Sequence, residues 1–146
     1  MNDNIKVKIK TPDWKSLNYE TSWAVAVDVR AIKDYEIKPW ETILVDTGTV
    51  MEIPEGYGLI LAARSSTFKN YGLMLINWIW IIDQDYRWNT DTLKYNYYNI
   101  SKKTSIIKAW DRIGQAMLVK VLKPKFEIVD EINNTARWWF WTTWVK

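Results

Sequence analysis

The chain has 146 residues, 48% hydrophobic and 25% charged, with a formal net charge of +3; these are the dimensions of one globular domain with its own core. It contains no cysteine and no histidine, which excludes disulfides, Cys/His zinc sites, Cys nucleophiles, Ser-His-Asp triads and the zinc-dependent base deaminases. So mild a positive charge suits a polyanionic small molecule better than a nucleic-acid surface, and chemistry is left to carboxylates, hydroxyls, Arg, Lys and a metal held by oxygen.

The first residues, Met1 to Lys6, have no apolar h-region, and no run of 18 apolar residues follows. Neither a signal peptide nor a membrane span is expected, and a cytoplasmic setting is the default. Ile5 to Lys10 alternates apolar and charged residues and reads as a half-exposed strand. Ala24 to Ala31 also alternates, with Val25, Val27 and Val29 on one side. Further strands are expected at Thr42 to Ile53, Gly58 to Ala63, Leu73 to Ile76, Thr92 to Ile100, Ser105 to Lys108, Ile113 to Leu122 and Phe126 to Asp130. Turn signals separate them at Pro39-Trp40, Pro54-Glu55-Gly56, Asn70-Tyr71-Gly72 and Lys123-Pro124-Lys125. Helical signal is confined to Ser65 to Asn70, one turn capped by a serine. Many short strands at this spacing predict an all-β protein, a distorted jelly-roll sandwich. After the breaker Asn133-Asn134-Thr135 the chain reads as an arm. The domain is expected over 1–133 and the arm over 134–146.

Tryptophan is the anomaly. There are 11, against 5 glycines, where average usage would give roughly ten glycines. Many stand where a turn asks for glycine: Lys38-Pro39-Trp40-Glu41, Lys108-Ala109-Trp110-Asp111, Asp85-Tyr86-Arg87-Trp88 and the tail Arg137-Trp138-Trp139-Phe140-Trp141-Thr142-Thr143-Trp144. UGA encodes Trp in one variant genetic code and Gly in another. A gene of the second kind read with the first table would give this pattern. Taken literally, the tail is instead an interfacial membrane anchor or aromatic binding arm.

Five segments carry candidate chemistry. Ala26-Val27-Asp28-Val29-Arg30-Ala31 puts an acid on a strand. Ala63-Arg64-Ser65-Ser66 offers a guanidinium fork and two hydroxyls, groups suited to phosphate oxygens. Asn77-Trp78-Ile79-Trp80-Ile81-Ile82-Asp83-Gln84-Asp85-Tyr86-Arg87-Trp88 is a hairpin with two acids near its tip. Trp110-Asp111-Arg112-Ile113-Gly114-Gln115-Ala116 opens a strand, and the tail is the fifth segment.

Together, in this order, the five segments resemble the motifs of the trimeric dUTPase family, from about residue 20 to Lys146. With Trp80 and Trp88 read as Gly, the hairpin becomes N-x-x-G-x-I-D-x-D-Y-R-G. The tail becomes R-G-G-F-G-T-T-G, close to the family's R-G-x-G-G-F-G-S-T-G. The resemblance implies hydrolysis of dUTP to dUMP and pyrophosphate, by water attack at the α-phosphorus with Mg²⁺ on the triphosphate. Asp83 would orient and deprotonate that water. Asn77 would pair with uracil, Tyr86 would pack under the deoxyribose, and Asp85 joins the substrate-binding residues. Arg64, Ser65, Ser66 and Gln115 would contact phosphates, and Asp28 would face the metal's water shell or the trimer centre. Arg112 would pair with a carboxylate. In the tail, Phe140 would stack on uracil, Thr142 and Thr143 would offer hydroxyls, and Arg137 would meet the γ-phosphate. Arg137 lies three residues before Phe140, where the family form places it five before.

The implied assembly is a homotrimer whose arms close over neighbouring sites. Its partner is dUTP, with no nucleic acid and no membrane. Two alternatives stand beside it. One is a relative of dCTP deaminase, which shares the fold but lacks the I-D-x-D-Y hairpin. The other is an inactive nucleotide- or membrane-binding protein of the same fold.

Overall fold

The structure, a computed structural model, describes residues 5–13 and 17–132. In chain order the described elements are β1 (Lys8–Lys10), β2 (Val27–Arg30), β3 (Tyr35–Ile37), β4 (Thr42–Asp46), β5 (Val50–Glu52), β6 (Tyr57–Ala63), α1 (Thr67–Tyr71), β7 (Leu73–Leu75), β8 (Ile79–Ile82), β9 (Lys94–Asn99), β10 (Ser105–Ile107) and β11 (Arg112–Lys120). A four-stranded sheet runs β2-β11-β6-β8 and a three-stranded sheet runs β4-β9-β7, both antiparallel. The short pairs β1-β5 and β10-β3 complete the β-sandwich. The expected all-β jelly-roll class is what the structure shows.

Alternation explains the core. Along β9 every second residue is buried, so Tyr95, Tyr97 and Asn99 point inward. Tyr95 and Tyr97 meet Val29, Leu61 and Ile113 from the larger sheet in one apolar cluster. Asn99 is the polar member, and its side-chain amide donates to the carbonyls of Ile37 and Lys103, so its burial leaves that amide partnered.

Three turns share one construction. The i→i+3 bonds Glu41 N to Lys38 O, Tyr57 N to Pro54 O and Asp111 N to Lys108 O close them. Their third residues are Trp40, Gly56 and Trp110, with φ of 67°, 77° and 72°. A type II turn needs positive φ at that place, which suits glycine. In the two tryptophan turns the fourth residue's carboxylate also accepts from the first residue's amide. The second of them is tied down by Asp34, which accepts from Lys108 Nζ and the Ala109 amide. Those two bonds, Lys108's first, hold the Asp34 carboxyl below its ordinary value.

The structure corrects several sequence expectations. The strand expected over Thr42 to Ile53 is two strands, broken at Thr47-Gly48-Thr49, where Gly48 has φ 62°. Two β-branched threonines disguise that turn. β3 was not foreseen. Ser66 occupies the N-cap of α1 without a side-chain capping bond, and it is Thr67 Oγ1 that accepts the Arg64 amide, at 3.1 Å. Phe126 to Asp130 forms no strand. Past Val121, whose amide bonds Gly56 O, the described segment has no ladder partner, and Phe126 and Ile128 are 93% and 100% exposed. The described chain therefore leaves the sheet near residue 121.

Candidate functional site

Asp28 on β2 is the centre of a charge cluster. Its Oδ1 accepts from Arg64 Nε at 3.0 Å and its Oδ2 from Arg112 Nη1 at 3.2 Å. The Asp28 side chain is 8% exposed, so these pairs sit between the exposed and buried limits. Arg112 also pairs with Glu20 at 3.4 Å. Arg64 Nη1 reaches Ser66 Oγ at 3.5 Å. Gln115 lies directly across the ladder from Asp28, and Ala62 flanks it on β6. Asp28, Arg64, Ser66 and Gln115 are thus brought together, with Ser65 exposed beside them. The bonds to Asp28 and Ser66 use two of Arg64's five N–H donors, and the rest suit an oxyanion.

The second group lies on and after β8. Asn77 and Trp78 form the turn into it, with Trp78 N bonded to Leu75 O. Asp83 and Asp85 follow it, both exposed, on a cleft of about 410 Å³ shared with Tyr57, Gln84 and Lys123. Gln84 Nε2 donates to the carbonyls of Pro54 and Tyr57, pinning the acid-bearing loop to the turn before β6. Tyr86 packs on the core and donates its hydroxyl to Thr92 O at 3.0 Å. Burial pushes its phenol up, with the Asp91 and Asp46 carboxylates adding to the effect.

Among the described residues Asp83 does not meet the Arg64 cluster, whereas Trp78, at the start of the hairpin, lines one cavity with Arg64 and Ser65. Ile82 pairs with Leu59, and Ala63 pairs with Gly114. Asp83 therefore stands near one end of β6 and Arg64 just past the other, roughly 20 Å apart along the strand. Arg137, Phe140, Thr142 and Thr143 lie outside the described residues.

The profile of the dUTPase family matches residues 12–138. The chain belongs to the dUTPase family. It is 37% identical over 120 residues to the deoxyuridine 5'-triphosphate nucleotidohydrolase of Hydrogenobaculum sp., covering 82% of this chain and 81% of that protein. The crystal structure of dUTPase from Streptococcus mutans superposes with a TM-score of 0.74 at 26% identity, over 81% of this chain and 98% of that one. A mutant dUTPase from phage phi11 of S. aureus, solved for the coordination of a structural Mg(II) ion, gives a TM-score of 0.78 at 18% identity. It covers 89% of this chain and 100% of that one, and at that identity the likeness concerns the fold.

Sequence reasoning missed two features. Trp78, not Trp80 or Trp88, is the hairpin tryptophan with positive φ, at 60°. The Asn77-Trp78 dipeptide, an Asn-Gly turn in disguise, was the available signal. Trp80 lies in β8, packs on the core, and has a buried indole N–H without a partner. The second feature is the pair Tyr95 and Tyr97, whose hydroxyls reach the backbone of the strand carrying Gln115. Neither falls in a recognisable motif. Among the described residues, no helix is long and apolar enough to cross a membrane.

Proposed function

We propose that this chain hydrolyses dUTP to dUMP and pyrophosphate, with Asp83 taking the proton of the attacking water. The observation that carries this reading is the pairing of a guanidinium–hydroxyl–amide cluster with a carboxylate hairpin on one sheet. The cluster of Arg64, Ser65, Ser66 and Gln115 suits a polyphosphate. The hairpin supplies Asn77 for the base, Tyr86 for the sugar, Asp85 beside them and an exposed carboxylate for the water. An ionised carboxylate in reach of water is a competent general base at neutral pH.

The roughly 20 Å separation of Asp83 and Arg64 along β6 supports a site shared between copies. One copy's hairpin would face another copy's Arg64 cluster in a homotrimer. Apolar residues left exposed near the hairpin and after β11, Ile81 at 71% and Phe126 at 93% among them, support the same assembly. In this reading Arg137, Phe140, Thr142 and Thr143 belong to the arm that closes the site.

Among the described residues no cluster of three or more metal-ligating side chains occurs. That fits Mg²⁺, which keeps its waters and is bound mainly by substrate phosphates. Asp28 would hold it through a water, since a carboxylate engaged by two guanidinium groups retains lone pairs. The ion's contribution when bound is to offset charge developing on the phosphates.

Pyrophosphate release from dUTP, dTTP and UTP tests this reading. Trp78 and Trp88, the exposed tryptophans of the hairpin, and Trp138, Trp139 and Trp141 in the tail would crowd the site, so the chain as written is expected to be a poor enzyme. A version with glycine at all 11 tryptophan positions is expected to hydrolyse dUTP alone. Asp83→Asn in that version is expected to lose roughly 10²-fold or more in rate. Equal activity of the two versions, or full activity of Asp83→Asn, would overturn it.

A further inference from the structure

β8 stays paired with β6 as far as Ile82, opposite Leu59. Continued antiparallel register would set Asp83 against Gly58 and Gln84 against Tyr57. The backbone turns away instead. Tyr86 N bonds Asp83 O at 3.3 Å and Arg87 N bonds Asp85 O at 3.0 Å, so the chain closes on itself. The Gln84 side chain reaches back to the sheet edge: its Nε2 donates to Tyr57 O at 3.0 Å and to Pro54 O at 3.3 Å. Both partners are carbonyl oxygens, so only the amide nitrogen of Gln84 can serve there. A side chain thus takes the place that a backbone N–H holds along the ladder, and the backbone of Asp83 to Asp85 is free to leave the sheet.

The alternation of faces survives the turn. Ile82, Gln84 and Tyr86 are buried or half-buried, while Asp83 and Asp85 are exposed. Gln84 and Tyr86 therefore hold the turn from its inner side, Gln84 on the Pro54–Tyr57 turn and Tyr86 through its hydroxyl on Thr92 O. The Pro54–Tyr57 turn is a fixed support. Tyr57 N closes it on Pro54 O, and its Gly56 O accepts from Val121 N, just past β11, at 2.8 Å. Tyr57 also pairs with Lys120 in the β6–β11 ladder.

We propose that Gln84 is a positioning residue: its carboxamide ties the Asp83–Tyr86 turn to the Pro54–Tyr57 turn and so fixes where the Asp83 carboxylate stands in its cleft. This rests on the reading of Asp83 as the group that takes the proton of the attacking water. Gln84 acts through the backbone, because its amide is engaged by two carbonyls and the carboxylate it serves is its chain neighbour. Misplacing a reacting group by about 1 Å is enough to slow a reaction severely.

Gln84→Ala removes both bonds. Gln84→Glu keeps the length but offers the two carbonyls a carboxylate, which cannot donate. In the version with glycine at the tryptophan positions, both variants are expected to lower kcat for dUTP by about tenfold to 10²-fold. KM is expected to change less than about twofold. Ile107→Val, a core truncation away from the turn, is expected to leave kcat unchanged. Unchanged kcat in Gln84→Ala and Gln84→Glu, where Asp83→Asn loses its rate, overturns the positioning role and leaves the base assignment standing. Full rate in Asp83→Asn overturns the base assignment, and the proposal with it. Amide hydrogen exchange in the chain as written needs no activity. Gln84→Ala is expected to speed exchange about fivefold at the Tyr86 and Arg87 amides and to leave Met117 to Val119 in the β6–β11 ladder unchanged. Unaltered exchange at Tyr86 and Arg87, or equal speeding in the ladder, overturns the proposal.

Discussion

The ring of Tyr95 fills the space that a side chain on Gly114 would need. A Cβ there would lie 2.1 Å from Tyr95 Cε1 and 2.3 Å from Cζ. Tyr95 cannot step aside, because it is fully buried and its hydroxyl is bonded to Gln115 O. Gly114→Ala is therefore an overpacking change, expected to cost about 1–3 kcal/mol in urea unfolding. Tyr95→Val alone leaves a cavity and also destabilises. Combined, the two changes are expected to cost less than their sum. Simple additivity would show that ring and glycine are not matched.

Trp78 and Trp80 are expected to respond oppositely to glycine. Trp78 is 80% exposed at φ 60°, a conformation that costs a non-glycine residue about 1–2 kcal/mol. Trp78→Gly is expected to stabilise the fold by about 1 kcal/mol. Trp80 has ordinary strand geometry and packs on the core, so Trp80→Gly is expected to destabilise. Thermal unfolding of the two variants decides this. A destabilised Trp78→Gly would mean the indole makes contacts that outweigh the strain.

Much of this fold was legible because alternation and turn chemistry are local. β9 follows from period-two burial, and the Lys38 and Lys108 turns follow from contexts that ask for a glycine-like residue. What escaped was nonlocal. The break at Gly48 hides between threonines. Phe126 to Asp130 has strand composition, yet no strand lies beside it among the described residues. At the site, Asp28, Arg64, Asp83 and Gln115 were legible as residue types in order. That Asp28 holds Arg64 and Arg112 together, and that Asp83 stands at the far end of β6, depends on pairing across the sheet. The bond from the Tyr97 hydroxyl to Ile113 O joins β9 to β11 and leaves no mark in either segment's sequence.

Asp28 is expected to matter for the cluster as well as for the fold. Its replacement by Asn leaves Arg64 and Arg112 without the carboxylate they share. The expected cost is about 1–3 kcal/mol, between the exposed and buried limits for such pairs. Arg112→Met in the Asp28→Asn background is expected to cost less than in the wild type. Urea midpoints of the four proteins measure the coupling. A cycle that closes at zero would mean that Asp28 and Arg112 are not energetically coupled.

Alkali is expected to unfold this protein through its buried tyrosines. Burial pushes the phenols of Tyr95 and Tyr97 well above their ordinary range. In the unfolded chain both ionise near pH 10. Folded values above unfolded values mean the stabilisation is whole below about pH 10 and is lost as pH rises through the folded values. Within that window each such tyrosine removes up to about 1.4 kcal/mol per pH unit. The double variant Tyr95→Phe/Tyr97→Phe carries neither group. Its stability is expected to start lower, through the lost hydrogen bonds, and to fall less between about pH 9 and about pH 11. Urea midpoints at those two values test the difference, and parallel losses in the two proteins would assign alkaline unfolding to other groups.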